Sequence, residues 1–255
     1  MYFFRLTVMI SLLFFLLTII AMFLYPGGTT LHHHARGYTF FENFLSDLGR
    51  VTAISGQSNL PARICFTLAL SAGGLGIALF FLALLPFFTG SSRTRWLSRL
   101  GAVFGLLASL CFLGVALVPL DLAGAIHDLF IDAALVTFLA AFLFLFLAVL
   151  RTPAFPKIFL WSFSVFAVVL LVYVLLIIFG PAPGTAAWVL VQATGQKVIV
   201  AFAILIAMIQ ALSAQRFLVK TSIPSFPRGK QSGDQELLTT LIPPVFPPGA
   251  PGKNL

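Results

Sequence analysis

IHDLFIDAALVTFLAAFLFLFLAVL, residues 126–150, runs on after Asp132 for 18 residues without a charged side chain. Coiled as an α-helix at 1.5 Å per residue, the stretch covers about 37 Å, more than the roughly 30 Å hydrocarbon core of a bilayer. Its apolar residues do not alternate with polar ones, which argues against a barrel strand, and an open strand in lipid would leave its backbone groups unpaired. Five further runs of the same kind occupy about 3–24, 64–88, 100–120, 158–179 and 188–212. With 60% hydrophobic and 9% charged residues and a mean hydropathy of +1.08, the composition excludes a water-soluble globule. The expected architecture is all-α: a six-helix transmembrane bundle over residues 1–215, followed by a Pro-rich, disordered cytoplasmic tail over 216–255. In that tail Pro243, Pro244, Pro247, Pro248 and Pro251 interrupt any helix.

Lys and Arg set the expected orientation. With the N-terminus inside, eleven of the 15 basic residues fall on the cytoplasmic side, and only Arg36, Arg50, Arg63 and Lys197 lie outside. Both termini are therefore expected in the cytoplasm. The first run is longer than the apolar region of a signal peptide and lacks an A-x-A site, so it reads as a retained span. The net charge of +8 sits beside apolar stretches, which points to membrane lipids rather than nucleic acid as the partner. Cys65 and Cys111 both lie inside apolar runs and offer no disulfide framework.

The long first outer loop carries most of the polar residues outside the spans. Within it Phe40, Phe41, Phe44, Leu45 and Leu48 recur at helical spacing, with Glu42, Asn43, Ser46 and Asp47 between them. That pattern predicts an amphipathic helix lying on the interface, ended by Gly49.

Five of the seven acids and all four histidines fall on the outer half, so a site would face outward. Its expected polar cluster is Asp47, Asp121, His127, Asp128, Asp132 and Lys197. Asp128 and Asp132 share a helix face at i and i+4. Lys197 is drawn below the interface because 198–212 is too short to span alone, and a buried ammonium calls for a partner. Asp132 is the expected one. His127 beside Asp128 could exchange protons near neutral pH, with Ser46 as a weak candidate hydroxyl; these are the catalytic candidates. Three adjacent histidines, His32, His33 and His34, cannot easily converge on one tetrahedral ion, so no metal and no cofactor is expected.

Several of these residues also carry a family resemblance. Tyr25-Pro26-Gly27-Gly28-Thr29, Gly37-Tyr38-Thr39-Phe40, Asn43-Phe44-Leu45-Ser46-Asp47-Leu48-Gly49, Asn59, Pro119 with Asp121, His127, and Gln196-Lys197 together resemble the prokaryotic membrane-protein family called domain of unknown function 998. The resemblance covers the chain from Tyr25 to about Leu212. It implies six spans, an outer-face polar cluster and a prokaryotic plasma membrane, and it implies no activity. The histidine triplet and Pro61 depart from the family pattern.

Three readings of function follow. The first is a module that binds a lipid headgroup or a membrane-protein partner at the outer cluster. The second is an intramembrane lipid hydrolase or transferase using His and Asp acid/base chemistry. The third is a small proton- or ion-coupled transporter, against which stands the near absence of charge in the inner halves of the spans. Oligomeric state is not legible.

Overall fold

A computed structural model describes residues 2–153 and 155–222. The chain divides into a unit Met1–Val219 and a unit Lys220–Leu255. The tail expected to be disordered lies, from residue 223 onward, outside the described residues.

Among the described residues six helices make up the bundle: α1 (Tyr2–Leu24), α2 (Leu60–Leu84), α3 (Ser92–Leu117), α4 (Leu120–Leu150), α5 (Lys157–Phe179) and α6 (Ala186–Ser222). All six are long and apolar enough to cross a membrane, and the described residues contain no strand. The chain is an all-α, multi-pass integral membrane protein. Several helices begin before their apolar runs, where polar residues suit a helix start. Pro61 sits in the first turn of α2, where its missing N–H costs nothing, and the Ser91 hydroxyl accepts from Thr94 N at 3.1 Å ahead of α3. Helix α4 starts at Leu120 and is broken at Ala123, whose backbone (φ −146°, ψ 55°) leaves the helical region.

Consecutive helices pack side by side from α1 to α4. Small residues set the approach. A Cβ at Gly105 of α3 would collide with the Phe81 ring of α2, and one at Gly114 with the Phe130 ring of α4, so each ring rests on bare backbone. Hydroxyls bridge the α2–α3 seam: Ser109 Oγ donates to Gly74 O at 2.7 Å and Thr67 Oγ1 to Ala116 O at 3.1 Å. The end of the bundle that carries Arg93, Arg95, Arg99, Arg151 and Lys157 closes over a phenylalanine cluster in which Phe155 stacks on Phe88 and meets Phe159 edge-on. The opposite end is closed by the loop between α1 and α2, and there the polar groups collect.

Candidate functional site: a loop latched onto three helices

The 35 residues between α1 and α2 do not form the amphipathic interfacial helix that their spacing suggests. Short side chains that bond to nearby backbone compete with a helix, and here they win. Asn43 accepts from Thr39 N through Oδ1 (2.9 Å) and donates through Nδ2 to Gly28 O (2.8 Å) and Asp47 Oδ2 (3.1 Å). Asp47 Oδ2 also accepts from Phe44 N at 2.9 Å. What remains is a single 3-10 turn, Leu45–Gly49, and its polar side faces inward: Ser46, Asp47, Leu48 and Gly49 are all buried, while Phe40 and Phe41 are exposed. The turn is a plug rather than a float. Leu48, Tyr25, Ala53 and Phe66 form a small apolar core beneath it, and Gly49 lies so close to α2 that a Cβ there would come within 2.9 Å of the Phe66 ring.

Three helices hold the plug by polar bonds to its backbone. At the entrance to α2, Asn59 Nδ2 faces the carbonyls of Asp47 (3.2 Å), Leu48 (3.1 Å) and Arg50 (2.9 Å). From α4, the Asp121 carboxylate accepts from Val51 N (2.9 Å) and Thr52 N (2.9 Å). From α6, Lys197 Nζ donates to Asn43 O at 2.6 Å and to Ala193 O at 2.8 Å, and Gln196 Oε1 accepts from Leu45 N at 3.3 Å. The ammonium also lies over the rings of Tyr38 (5.3 Å) and Phe40 (5.1 Å). Tyr38 OH donates to the same Asn43 carbonyl at 3.1 Å, so both lone pairs of that oxygen are filled.

The expected pairing of Lys197 with Asp132 is not made. Lys197 is 6% exposed and spends two of its three N–H bonds on backbone carbonyls, and the one salt bridge among the described residues joins His32 to Glu42. The reason is helix geometry. On α4 the inward stripe is His127, Ala134 and Ala141. Asp128 and Asp132 lie about 100° and 140° around the axis from His127 and are exposed. His127 is likewise unpaired with Asp128: its Nδ1 lies 2.6 Å from Val118 O, an acceptor only, so Nδ1 carries the proton. Nε2 is then left as a buried lone pair without a partner. No hydrogen bond links His127 to Ser46. Of the expected cluster, the structure brings Asp47, Asp121 and Lys197 to the loop as anchors, sets His127 in the bundle, and leaves Asp128 and Asp132 outside.

Burial acts on the loop groups. Asp47, 2% exposed, is held above the usual carboxylate range, since the desolvation cost outweighs the opposing effect of its bonds to Asn43 and Phe44 N and of the Arg50 and Lys197 charges. Tyr25, whose oxygen accepts from Ile54 N at 3.2 Å, is pushed up to about 12 by burial, and Tyr38 is raised for the same reason, so both keep their protons.

At the exposed tip, Glu42 Oε2 accepts from His32 Nδ1 (2.9 Å) and Thr29 Oγ1 (2.8 Å). The His32 bond first, and the Thr29 bond second, lower the Glu42 carboxyl. A lowered carboxylate contributes stability that is present at neutral pH and lost as pH falls through its folded value. Asp47, being raised, acts in the opposite sense and favours the protonated plug. Below about pH 4, the ordinary range of a Glu side chain, amide protection factors over 29–42 are therefore expected to fall a few-fold while those at 45–49 hold. Glu42→Gln should remove the change at the tip. Equal loss of protection at tip and plug would contradict the assignment.

Among the described residues no three of His, Cys, Asp or Glu gather to hold a metal ion, and His32, His33 and His34 are all exposed. Tyr38, Asn59 and Gln196 enter the sequence reading through the family resemblance alone and not as members of the polar cluster. A glutamine inside a 32-residue apolar span is the signal that singles out Gln192 and Gln196. Gln192 is buried, accepts from Tyr173 OH at 3.1 Å, and leaves its amide Nε2 without an acceptor. No family model, curated protein or solved structure matches the chain.

Proposed function

We propose that this membrane protein holds an anionic lipid headgroup at its loop-bearing, outward-facing mouth. The observation that supports the reading is the state of Lys197: an ammonium inside a spanning helix, 6% exposed, with no carboxylate within ion-pair distance and one N–H beyond the two given to carbonyls. A cation in such a place is costly without a counter-charge, and Asp47, the nearest candidate, is itself pushed toward its neutral form. The donor left over beside the loop is the third Lys197 N–H. An acceptor-rich anion such as a lipid phosphate or carboxylate answers it. Basic Arg36, Arg50 and Arg63 on and beside the loop add attraction for anionic headgroups. The charge tally supports the outward placement, and the family resemblance supports a prokaryotic plasma membrane.

The hydrolase reading loses support because His127 is turned to Val118 O and Asp128 faces away from it. The test is native mass spectrometry of the protein released from nanodiscs that contain equal phosphatidylglycerol and phosphatidylcholine. Retention of the anionic lipid, unchanged in Asp132→Asn and lost in Lys197→Met, is expected. Equal retention of both lipids by wild type, or loss in Asp132→Asn alone, would overturn the reading.

A further inference from the structure

Midway along the helices the bundle leaves a recess of about 120 Å³ between α1, α2, α4 and α6. It arises from a mismatch in side-chain size. On α2, Gly73 and Gly76 let α1 settle so close that a Cβ would lie 3.0 Å from the Phe14 ring at the first and 2.9 Å from Ile10 Cγ2 at the second. On α6 the facing stripe is Val200, Ala203, Ile204 and Ala207, spaced i, i+3, i+4 and i+7, and its two alanines are too short to fill the gap. These four residues stay half-buried, whereas Ile199 and Ile206 on another face of the same helix are closed off. No wall residue is exposed, so the recess belongs to the interior of the bundle.

Its chemistry is narrow. No charged or amide side chain lines it, and its hydroxyl residues are Thr7, whose Oγ1 donates to Phe3 O, and Ser11. Water, which needs two to four polar partners in such a place, is poorly served there. Six phenylalanines stand in the wall, and four of them run on edge to face: Phe112 to Phe138 (6.1 Å between ring centres), Phe138 to Phe142 (4.6 Å) and Phe142 to Phe81 (5.8 Å). Aromatic rings prefer edge-on neighbours, so a further ring entering the recess extends the series. Apolar cavities of roughly 150 Å³ stay dry and take up benzene, which sets the size of guest that suits this one.

We infer that the recess is a binding site for one small, uncharged aromatic molecule of about benzene's size. It is separate from the mouth: neither Lys197 nor any residue of the loop between α1 and α2 lines it, so the inference stands independently of the headgroup reading.

The test is NMR of labelled Ile, Leu and Val methyl groups in the full chain in nanodiscs, titrated with benzene. Wild type should show shifts at Ile77, Val200 and Ile204 that saturate, while the outward-facing Leu75 and Leu205 shift only in proportion to the benzene added. Ala207→Leu fills the recess and should abolish the saturating shifts. Ile204→Ala widens it and should confer saturating shifts at Ile77 and Val200 with naphthalene, which wild type excludes; this arm decides the matter if Ala207→Leu does not fold. Benzoate should give no saturating shift, since its charge would find no partner in the wall. Proportional shifts at wall and outward methyls alike, saturation that survives in Ala207→Leu, saturation by benzoate, or naphthalene binding that is the same in wild type and Ile204→Ala would overturn the site.

Discussion

Gly28→Ala is expected to unseat the loop while leaving the six helices formed. Gly28 has φ +85°, a conformation that side chains with a Cβ rarely adopt, and a Cβ there would run into the backbone nitrogen of Ser55 and lie 2.7 Å from the Ile54 carbonyl carbon. Backbone cannot step aside as a side-chain tip can. The residue also accepts from Asn43 Nδ2 and donates its own N–H to Ala35 O at 2.8 Å, so displacing it frees the side chain that organises the plug. Left-handed strain alone costs about 1 kcal/mol; strain, overlap and a released buried amide together should exceed about 3 kcal/mol. Gly37→Ala is the matched control. Its φ of +66° imposes the same strain, but nothing lies within 4 Å of the added carbon. Hydrogen exchange should therefore show protection over 38–52 collapsing in Gly28→Ala and falling only about five-fold in Gly37→Ala, with helical circular dichroism unchanged in both. Similar profiles for the two variants would sink the close-approach argument.

Lys197→Met carries the second large effect, and its size follows from what each partner keeps. Ala193 O retains its helical N–H partner and Asn43 O retains Tyr38 OH, so no carbonyl is orphaned. Removing a poorly compensated charge from a span also relieves a cost. Global stability should change little. The loop, however, loses a charge-assisted bond of 2.6 Å, worth about 1.5–3 kcal/mol, and keeps on the α6 side the longer Leu45 N to Gln196 Oε1 bond and the Phe44–Trp188 ring contact. Exchange over 38–48 should accelerate by roughly ten- to one hundred-fold, with α1 to α5 unaffected. Uniform acceleration through the helices would mean that Lys197 supports the bundle rather than the loop.

Much of this protein is written in its apolar runs. Uncharged stretches long enough to span, and the absence of alternation, dictate six helices, because lipid permits few other ways of pairing the backbone. The loop was harder to read. Phe40, Phe41, Phe44, Leu45 and Leu48 keep helical spacing, and nothing in that spacing reveals that Asn43 and Asp47 will spend their side chains on local backbone and turn inward. Lys197 shows the same difficulty in a sharper form. Its depth follows from the shortness of the apolar stretch after it, and a search for its partner turns naturally to acids such as Asp132. Backbone carbonyls have no residue letter, so Asn43 O and Ala193 O could not be picked from sequence. The i, i+4 spacing of Asp128 and Asp132 puts them on one face of α4, and relative to the buried His127, Ala134 and Ala141 that face is the outer one.

Lys197, buried within a span, is spent on the backbone of the loop and not on an acid across the bundle. Solid-state NMR on protein carrying ¹⁵N at the Lys197 side chain and ¹³C at backbone and carboxyl carbons measures this directly. Strong dipolar coupling of Nζ to the Asn43 carbonyl carbon, with none to the Asp132 carboxyl carbon, is the expected result. Coupling to Asp132 with none to Asn43 would contradict the account.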